Sequence, residues 1–200
     1  GGLKWKKKVE EVYWRSFLDI RVPIYYEMFL KLGVDIRQAI EPRGIDVEWD
    51  QYAPLPSWFP CPPHSEPDEN LDLFAFSYRD FIHTGTWTMQ LPYLDEASQM
   101  NPYTYNIGMN ADTAASKRLQ DGDAVWVENK GGRRVKGQIK LLQGIHPSCL
   151  AIAACSGHWS KGLPIARGKG SHFNEVLEAD QKHIDPMVQG IETAVRVQIY

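Results

Sequence analysis

The chain is 200 residues long, 43% hydrophobic and 24% charged, with a formal net charge of −3. That is enough apolar material for one well-filled core with an appended segment. The slightly negative charge offers no footprint for nucleic acid. No apolar run approaches the roughly 20 residues needed to cross a bilayer, so membrane insertion is not expected.

The basic run Lys4-Trp5-Lys6-Lys7-Lys8 is not followed by the apolar core of a signal peptide, so no secretory segment is read and the compartment, cytoplasmic or periplasmic, stays open. A start at Gly1-Gly2 reads as a processed, tagged or excised fragment. Residues 1–40 read as helical. Val9, Val12, Tyr13, Phe17 and Leu18 form one apolar stripe, and a second pattern restarts at Val22-Pro23 and runs to a stop at Gly33. A short helix over Val34 to Ile40 follows.

Residues 41–70 form a proline-rich strap. Pro42, Pro54, Pro56, Pro60, Pro62, Pro63 and Pro67 break every period, which predicts an extended connection and no regular element. Trp49, Tyr52, Trp58 and Phe59 need apolar surface to cover, so the strap is expected to lie on the domain that begins at about Leu71.

From there the chain reads as short strands. Leu73 to Tyr78 is an apolar run that turns abruptly into Arg79, Asp80, His83, Thr84 and Gly85, a strand delivering polar groups to its carboxyl end. Gln90 to Pro102 reads as a loop with two proline breaks, and Tyr103 to Asn110 as a strand. Asn110 or Asp112 caps a short helix through Leu119. Ala124 to Glu128 and Arg133 to Leu142 make a hairpin across Asn129-Lys130-Gly131-Gly132, whose glycines can take positive φ. Cys149 to Ala154 and Thr193 to Tyr200 complete the set. Several short strands, tight glycine turns and one small helix favour a compact β barrel.

Most enzyme motifs fail on inspection. Arg167-Gly168-Lys169-Gly170-Ser171 resembles the end of a phosphate loop, but the spacing from Gly162 is one residue too long and no Ser or Thr follows Lys169. What survives is a mobile, cationic glycine loop whose amides can cradle phosphate, or a merely solvated loop. Ser156-Gly157-His158-Trp159-Ser160 holds nucleophile and base types without an elbow, and no carboxylate pair stands out, so no catalytic residue is assigned. His146, Cys149, Cys155 and His158 lack a second compact ligand pair, and buried structural cysteine is the ordinary case, so no metal site is assigned either. Three polar stretches remain: Tyr78 to Thr88, Ser156 to Ser160, and Lys169 to Asn174 with His183-Ile184-Asp185-Pro186 after it. Convergence of such stretches on one end of a barrel would build a binding mouth.

Four ordered signatures resemble the molybdopterin-dinucleotide-binding domain that ends catalytic subunits of the dimethyl-sulfoxide-reductase family. They are Ser77-Tyr78-Arg79 with His83-Thr84; Asn110-Ala111 to Ala115 with Leu119-Gln120-Asp121-Gly122-Asp123 and Val125-Trp126-Val127; the Gly-Gly hairpin leading to Gly144-Ile145-His146-Pro147; and Gly170-Ser171-His172-Phe173-Asn174 with Asp185-Pro186. The resemblance implies a mainly β fold with flanking helices, a six-stranded double-psi β barrel of the aspartate-decarboxylase-like type spanning 71–200. It implies a molybdopterin guanine dinucleotide cofactor carrying Mo or W in the full-length enzyme, held at its pterin and diphosphate. Carried over, Tyr78, Arg79, His83 and Thr84 contact the cofactor with Thr86 and Thr88 nearby, and Gly157, His158 and Asn174 lie at the pterin. The implied partners are preceding domains of the same catalytic subunit, with room for an iron–sulfur electron-transfer subunit.

The chain departs from a complete enzyme in having no Cys-x-x-Cys-x-x-x-Cys run and no recognisable metal ligand, so the isolated fragment is expected to be inactive and without bound cofactor. Two other readings stay open: an aspartate-decarboxylase-like enzyme that self-cleaves at Gly170-Ser171, and a non-catalytic double-psi module that binds proteins.

Overall fold

The computed structural model describes residues 29–45, 47, 49–51, 54–55, 57–65, 68–180, 182–185 and 190–200. The apolar stripe expected between Val9 and Leu18, and the restart at Val22-Pro23, lie outside the described residues. The chain divides into two compact units, Gly1–Phe59 and Pro60–Tyr200.

In the first unit, helix α1 spans Phe29–Ile40 and passes straight through Gly33. The expected stop there is incorrect: glycine in a helix interior costs about 1 kcal/mol relative to alanine but blocks nothing sterically. The chain turns instead at Gly44 (φ +66°), after a 3-10 turn over Glu41–Arg43 whose second residue is Pro42. A further 3-10 turn covers Trp49–Gln51. The proline-rich segment is therefore not uniformly extended, because proline at the start of a helical turn gives up an amide that has no partner anyway.

The second unit opens with a single helical turn, α2 (Pro62–Ser65). It is tied down by side chains from distant strands. The Arg196 guanidinium donates to the Pro63 carbonyl and lies 4.6 Å above the Phe74 ring, on which His64 also stacks at 4.8 Å. Just before the turn, the Cys61 thiol donates to Glu192 at 3.0 Å.

Six strands follow: β1 (Leu73–Tyr78), β2 (Ile107–Asn110), β3 (Ala124–Asn129), β4 (Arg134–Leu142), β5 (Cys149–Ala153) and β6 (Ala194–Ile199). They form a closed barrel in the order β1-β5-β2-β4-β3-β6. The pairs β1–β5 and β2–β4 are parallel, and the other four are antiparallel. This is the compact β barrel that the short strands and glycine turns predict, and the six-stranded, mainly β, double-psi-like architecture that the resemblance implies.

Alternation fills the interior. Leu73 and Ala75, Val125 and Val127, Val135 and Ile139, Leu150 and Ile152, and Val195, Val197 and Ile199 point inward, each set spaced by an even number of residues along its strand. Phe173 and Val176, on a 3-10 turn outside the sheet, join the same core. A barrel of this size has room only for its own side chains, so any ligand must be met by loops at a rim or by an outer face.

Two helices decorate the barrel. Helix α4 (Ala111–Ser116) starts where the sequence places it: the Asn110 side chain accepts hydrogen bonds from the amides of Asp112 and Thr113. Helix α3 (Pro92–Met100) occupies a stretch expected to be loop. Pro92, read as a breaker, is at the first helical turn, where its missing amide costs nothing. The second strand is also shorter than expected, because residues 103–106 belong to the turns before Ile107.

Candidate functional site

Parallel pairing of β1 with β5 sets Tyr78 beside Ala153, so both strands end at the same side of the barrel. The Ala154 amide donates to the Tyr78 carbonyl at 3.0 Å, extending the ladder to the last residue. The chain beyond β1 (Arg79 to Thr88) and the chain beyond β5 (Ser156 to His158) therefore start side by side.

The first of these loops is braced from beneath. Asp80 is buried and accepts from the Ile82 amide at 2.7 Å, the Thr104 hydroxyl at 2.7 Å and the Asn101 amide at 3.3 Å. His83 is fully buried, with Nδ1 2.7 Å from the Thr88 hydroxyl and Nε2 2.7 Å from the Ser98 hydroxyl. Thr88 donates its own proton to the Gly85 carbonyl at 3.1 Å. This assigns the tautomer: Nδ1–H donates to Thr88, and Nε2 accepts from Ser98. Burial also holds the imidazole pKa below its ordinary value, with Asp80 and Asp95 opposing that shift.

Above this brace, Tyr78 is half-buried and its hydroxyl donates to the Tyr103 carbonyl at 2.7 Å. Burial, and then Asp80, pushes its phenol pKa upward. Arg79 is exposed and its guanidinium donates to the Thr84 carbonyl. Tyr78 and Arg79 line an open cavity of about 720 Å³, together with Phe76, Phe81, Tyr103 and His146. Thr84 and Thr86 are exposed on the loop surface, whereas Thr88 is turned inward to His83.

The second loop docks against a third. The Gly157 amide donates to the Lys169 carbonyl at 2.9 Å. Gly157 has φ +87°, and a β-carbon there would overlap the backbone of Ser171 and His172. Gly170 has φ +71° and packs directly on the Ser156 side chain. Only glycine permits so close an approach of two backbones. Side by side, the rings of His158 and His172 lie 5.2 Å apart. Among the described residues, His158 Nδ1 is a buried side-chain nitrogen with no hydrogen-bond partner. Asn174 is exposed on the 3-10 turn whose Phe173 and Val176 are buried in the core.

Both cations of the glycine loop are engaged by other side chains. Lys169 Nζ sits 2.5 and 2.6 Å from the two carboxylate oxygens of Asp95. Asp95 also accepts from Tyr105 at 2.8 Å and from Gln99 at 2.9 Å. Burial alone would push its carboxyl pKa upward, but these hydrogen bonds and the Lys169 charge more than offset that, and the net shift is downward. Arg167 lies 4.5 Å above the Trp159 ring, so both cations of the loop have partners. Ser171 is buried and donates to the Lys136 carbonyl at 2.9 Å, which commits the hydroxyl that self-cleavage would use.

His183 is held elsewhere, between Asp180 at 2.7 Å and Glu178 at 3.0 Å. No group of three or more His, Cys, Asp or Glu among the described residues is placed to hold a metal ion.

Sequence reasoning missed Asp80, Asp95 and Ser98. Asp95 and Ser98 lie three residues apart on the inward face of α3, in a stretch whose two prolines read as a loop.

Comparison with known proteins bears on the family and the fold. Residues 71–195 match the family model described as the molydopterin dinucleotide binding domain. The chain is 26% identical over 119 residues to the thiosulfate reductase molybdopterin-containing subunit PhsA of Salmonella typhimurium, covering 60% of this chain and 14% of that protein. Among solved structures, the acetylene hydratase of Pelobacter acetylenicus superposes with a TM-score of 0.58 at 21% identity, over 80% of this chain and 22% of that one. The chain thus spans less than a quarter of the length of either relative.

Proposed function

The chain belongs to the molybdopterin-dinucleotide-binding domain family, and on that premise we propose that its barrel end holds the pterin and diphosphate of a molybdopterin guanine dinucleotide in a longer oxidoreductase subunit. The observation that carries this reading is the unpartnered, buried His158 Nδ1 beside the Gly157 turn. A buried polar nitrogen left unsatisfied costs about 1–3 kcal/mol. A cofactor edge rich in donors and acceptors is the kind of group that removes that cost.

In this reading Arg79 supplies a cationic fork for a diphosphate or pterin oxygen, as its exposure beside the cavity allows. His158 and Asn174 meet the pterin edge, and the exposed Thr84 and Thr86 offer hydroxyls. His83 and Thr88 act one layer below, fixing the loop that presents Arg79 and Thr84. When bound, the cofactor supplies the Mo or W centre at which the reaction takes place, while this chain orients and shields it. The implied partners are the preceding domains of the same subunit, with an iron–sulfur electron-transfer subunit as a further one.

The test uses the full-length parent enzyme. Arg79→Ala removes a charge-assisted contact of roughly 1.5–3 kcal/mol, about a ten- to hundredfold loss of cofactor affinity. Arg79→Lys is expected to recover only part of it, because an ammonium keeps the charge without the planar fork. Pterin and metal content per folded protein is the readout. Unchanged content in Arg79→Ala at an unchanged melting temperature contradicts the assignment.

A further inference from the structure

The Gly168 to His172 turn has two glycines at positive φ, +74° at Gly168 and +71° at Gly170. Local preference alone does not hold such a turn in one shape. Contacts from outside must set it, and alongside the Ser171 hydroxyl on the Lys136 carbonyl the side chain of Lys169 supplies one. The Lys169 ammonium reaches α3 and grips both oxygens of Asp95, at 2.5 and 2.6 Å.

Among the lysine–carboxylate pairs described on the second unit, this one has the most buried carboxylate. Lys140–Asp121 and Lys117–Asp72 have side chains between 25% and 47% exposed. Exposed pairs of that kind contribute little. Lys169 is about as exposed as those lysines, at 29%, but the Asp95 side chain is only 11% exposed, and Tyr105 and Gln99 satisfy its remaining acceptor sites. A carboxylate so fully paired has one low-energy geometry and transmits it to the residue it holds.

The connection from Lys169 to the histidines is short. The Lys169 carbonyl accepts from Gly157 at 2.9 Å, Gly170 packs on Ser156, and the Gly157 backbone lies directly on that of Ser171 and His172. His158 and His172 then stand on the two backbones so joined, 5.2 Å apart.

We propose that Asp95 is a positioning residue: through Lys169 it seats the 169–172 turn on Gly157 and thereby fixes His158 against His172. That this places His158 for a cofactor rests on the function proposed above. The seating itself does not.

Nuclear Overhauser effects between the two imidazole rings, recorded on the 200-residue chain, read the seating without any cofactor. The wild type is expected to show a ring-to-ring effect between His158 and His172. Asp95→Asn and Lys169→Met are expected to lose it, and to shift the His172 ring signals, while the methyl signals of Leu150 and Ile152 stay in place. Asp95→Glu, which keeps the charge, is expected to restore part of the effect. Should Asp95→Asn fail to fold, Lys169→Met decides, since its ammonium is the more exposed partner.

An undiminished effect in either folded variant overturns the proposal. So does failure of both variants to fold, which would make the pair a general stability element. The two readings separate in the parent enzyme. If Lys169→Met abolishes the ring contact yet retains pterin at the wild-type level, Asp95 keeps its positioning role and the cofactor role of His158 is lost.

Discussion

His83 has no exposed surface and both ring nitrogens are engaged, which makes it a titration probe of the loop after β1. Burial lowers its folded pKa below the ordinary 6.5. The unfolded chain therefore takes up a proton first as pH falls. Stability from this group is complete above about pH 6.5 and is lost progressively below it, down to the folded value. Urea unfolding between pH 8 and pH 5 is expected to include a loss from His83 of up to ~1.4 kcal/mol per pH unit. His83→Gln is expected to cost about 1–3 kcal/mol at pH 8 and to flatten the acid slope. Equal slopes for the two proteins would show that His83 is not held neutral. The residue also marks a limit of sequence reading. A histidine just past a strand, among hydroxyls and an arginine, looks ligand-facing, and only the fold reveals that Ser98, fifteen positions on, closes its second nitrogen. Arg79, by contrast, is exposed and lines a cavity.

Strands that bury one face were legible because alternation survives in the sequence, as Val195, Val197 and Ile199 of β6 illustrate. Helix α3 was not, for a specific reason. Its buried face carries Asp95 and Ser98 while Tyr93 and Met100 are exposed, so the usual apolar stripe is inverted. A helix that turns polar groups inward has no periodic apolar signal to read. The α4 cap was legible, and Asn110 does two jobs: its oxygen accepts from Asp112 and Thr113, and its nitrogen donates to the Ile145 carbonyl at 2.9 Å. Asn110→Ala is expected to lower stability by about 1–3 kcal/mol, adding a lost cap to a lost buried donor. Asn110→Asp keeps the cap acceptor and is expected to fall between the two in a denaturant titration. A cost for Asn110→Asp equal to that of Asn110→Ala would assign the whole effect to the Ile145 contact.

At the scale of the molecule, closure is the defining property. β6 pairs with both β1 and β3, so removing it leaves two open edges on a sheet that otherwise has none. Ending the chain at Glu192 is expected to abolish cooperative unfolding and protection of the β1 and β3 amides from hydrogen exchange. Retained protection in β1 would show that the barrel does not depend on closure. Pairing order was beyond the sequence, since β1 meets β5 and β6 across most of the domain, and nothing local encodes partners so remote. Within that barrel, the direct parallel pairing of β1 with β5 brings their ends together, and with them the starts of the Arg79 and Ser156–His158 loops. The most direct test of the central claim is therefore a structure of the full-length parent enzyme with its cofactor bound. A polar cofactor atom is expected within hydrogen-bonding distance of His158 Nδ1, roughly 2.7–3.2 Å, with the Arg79 guanidinium on a cofactor oxygen. A cofactor seated against any other face of the barrel, with His158 Nδ1 still unpartnered, would contradict it.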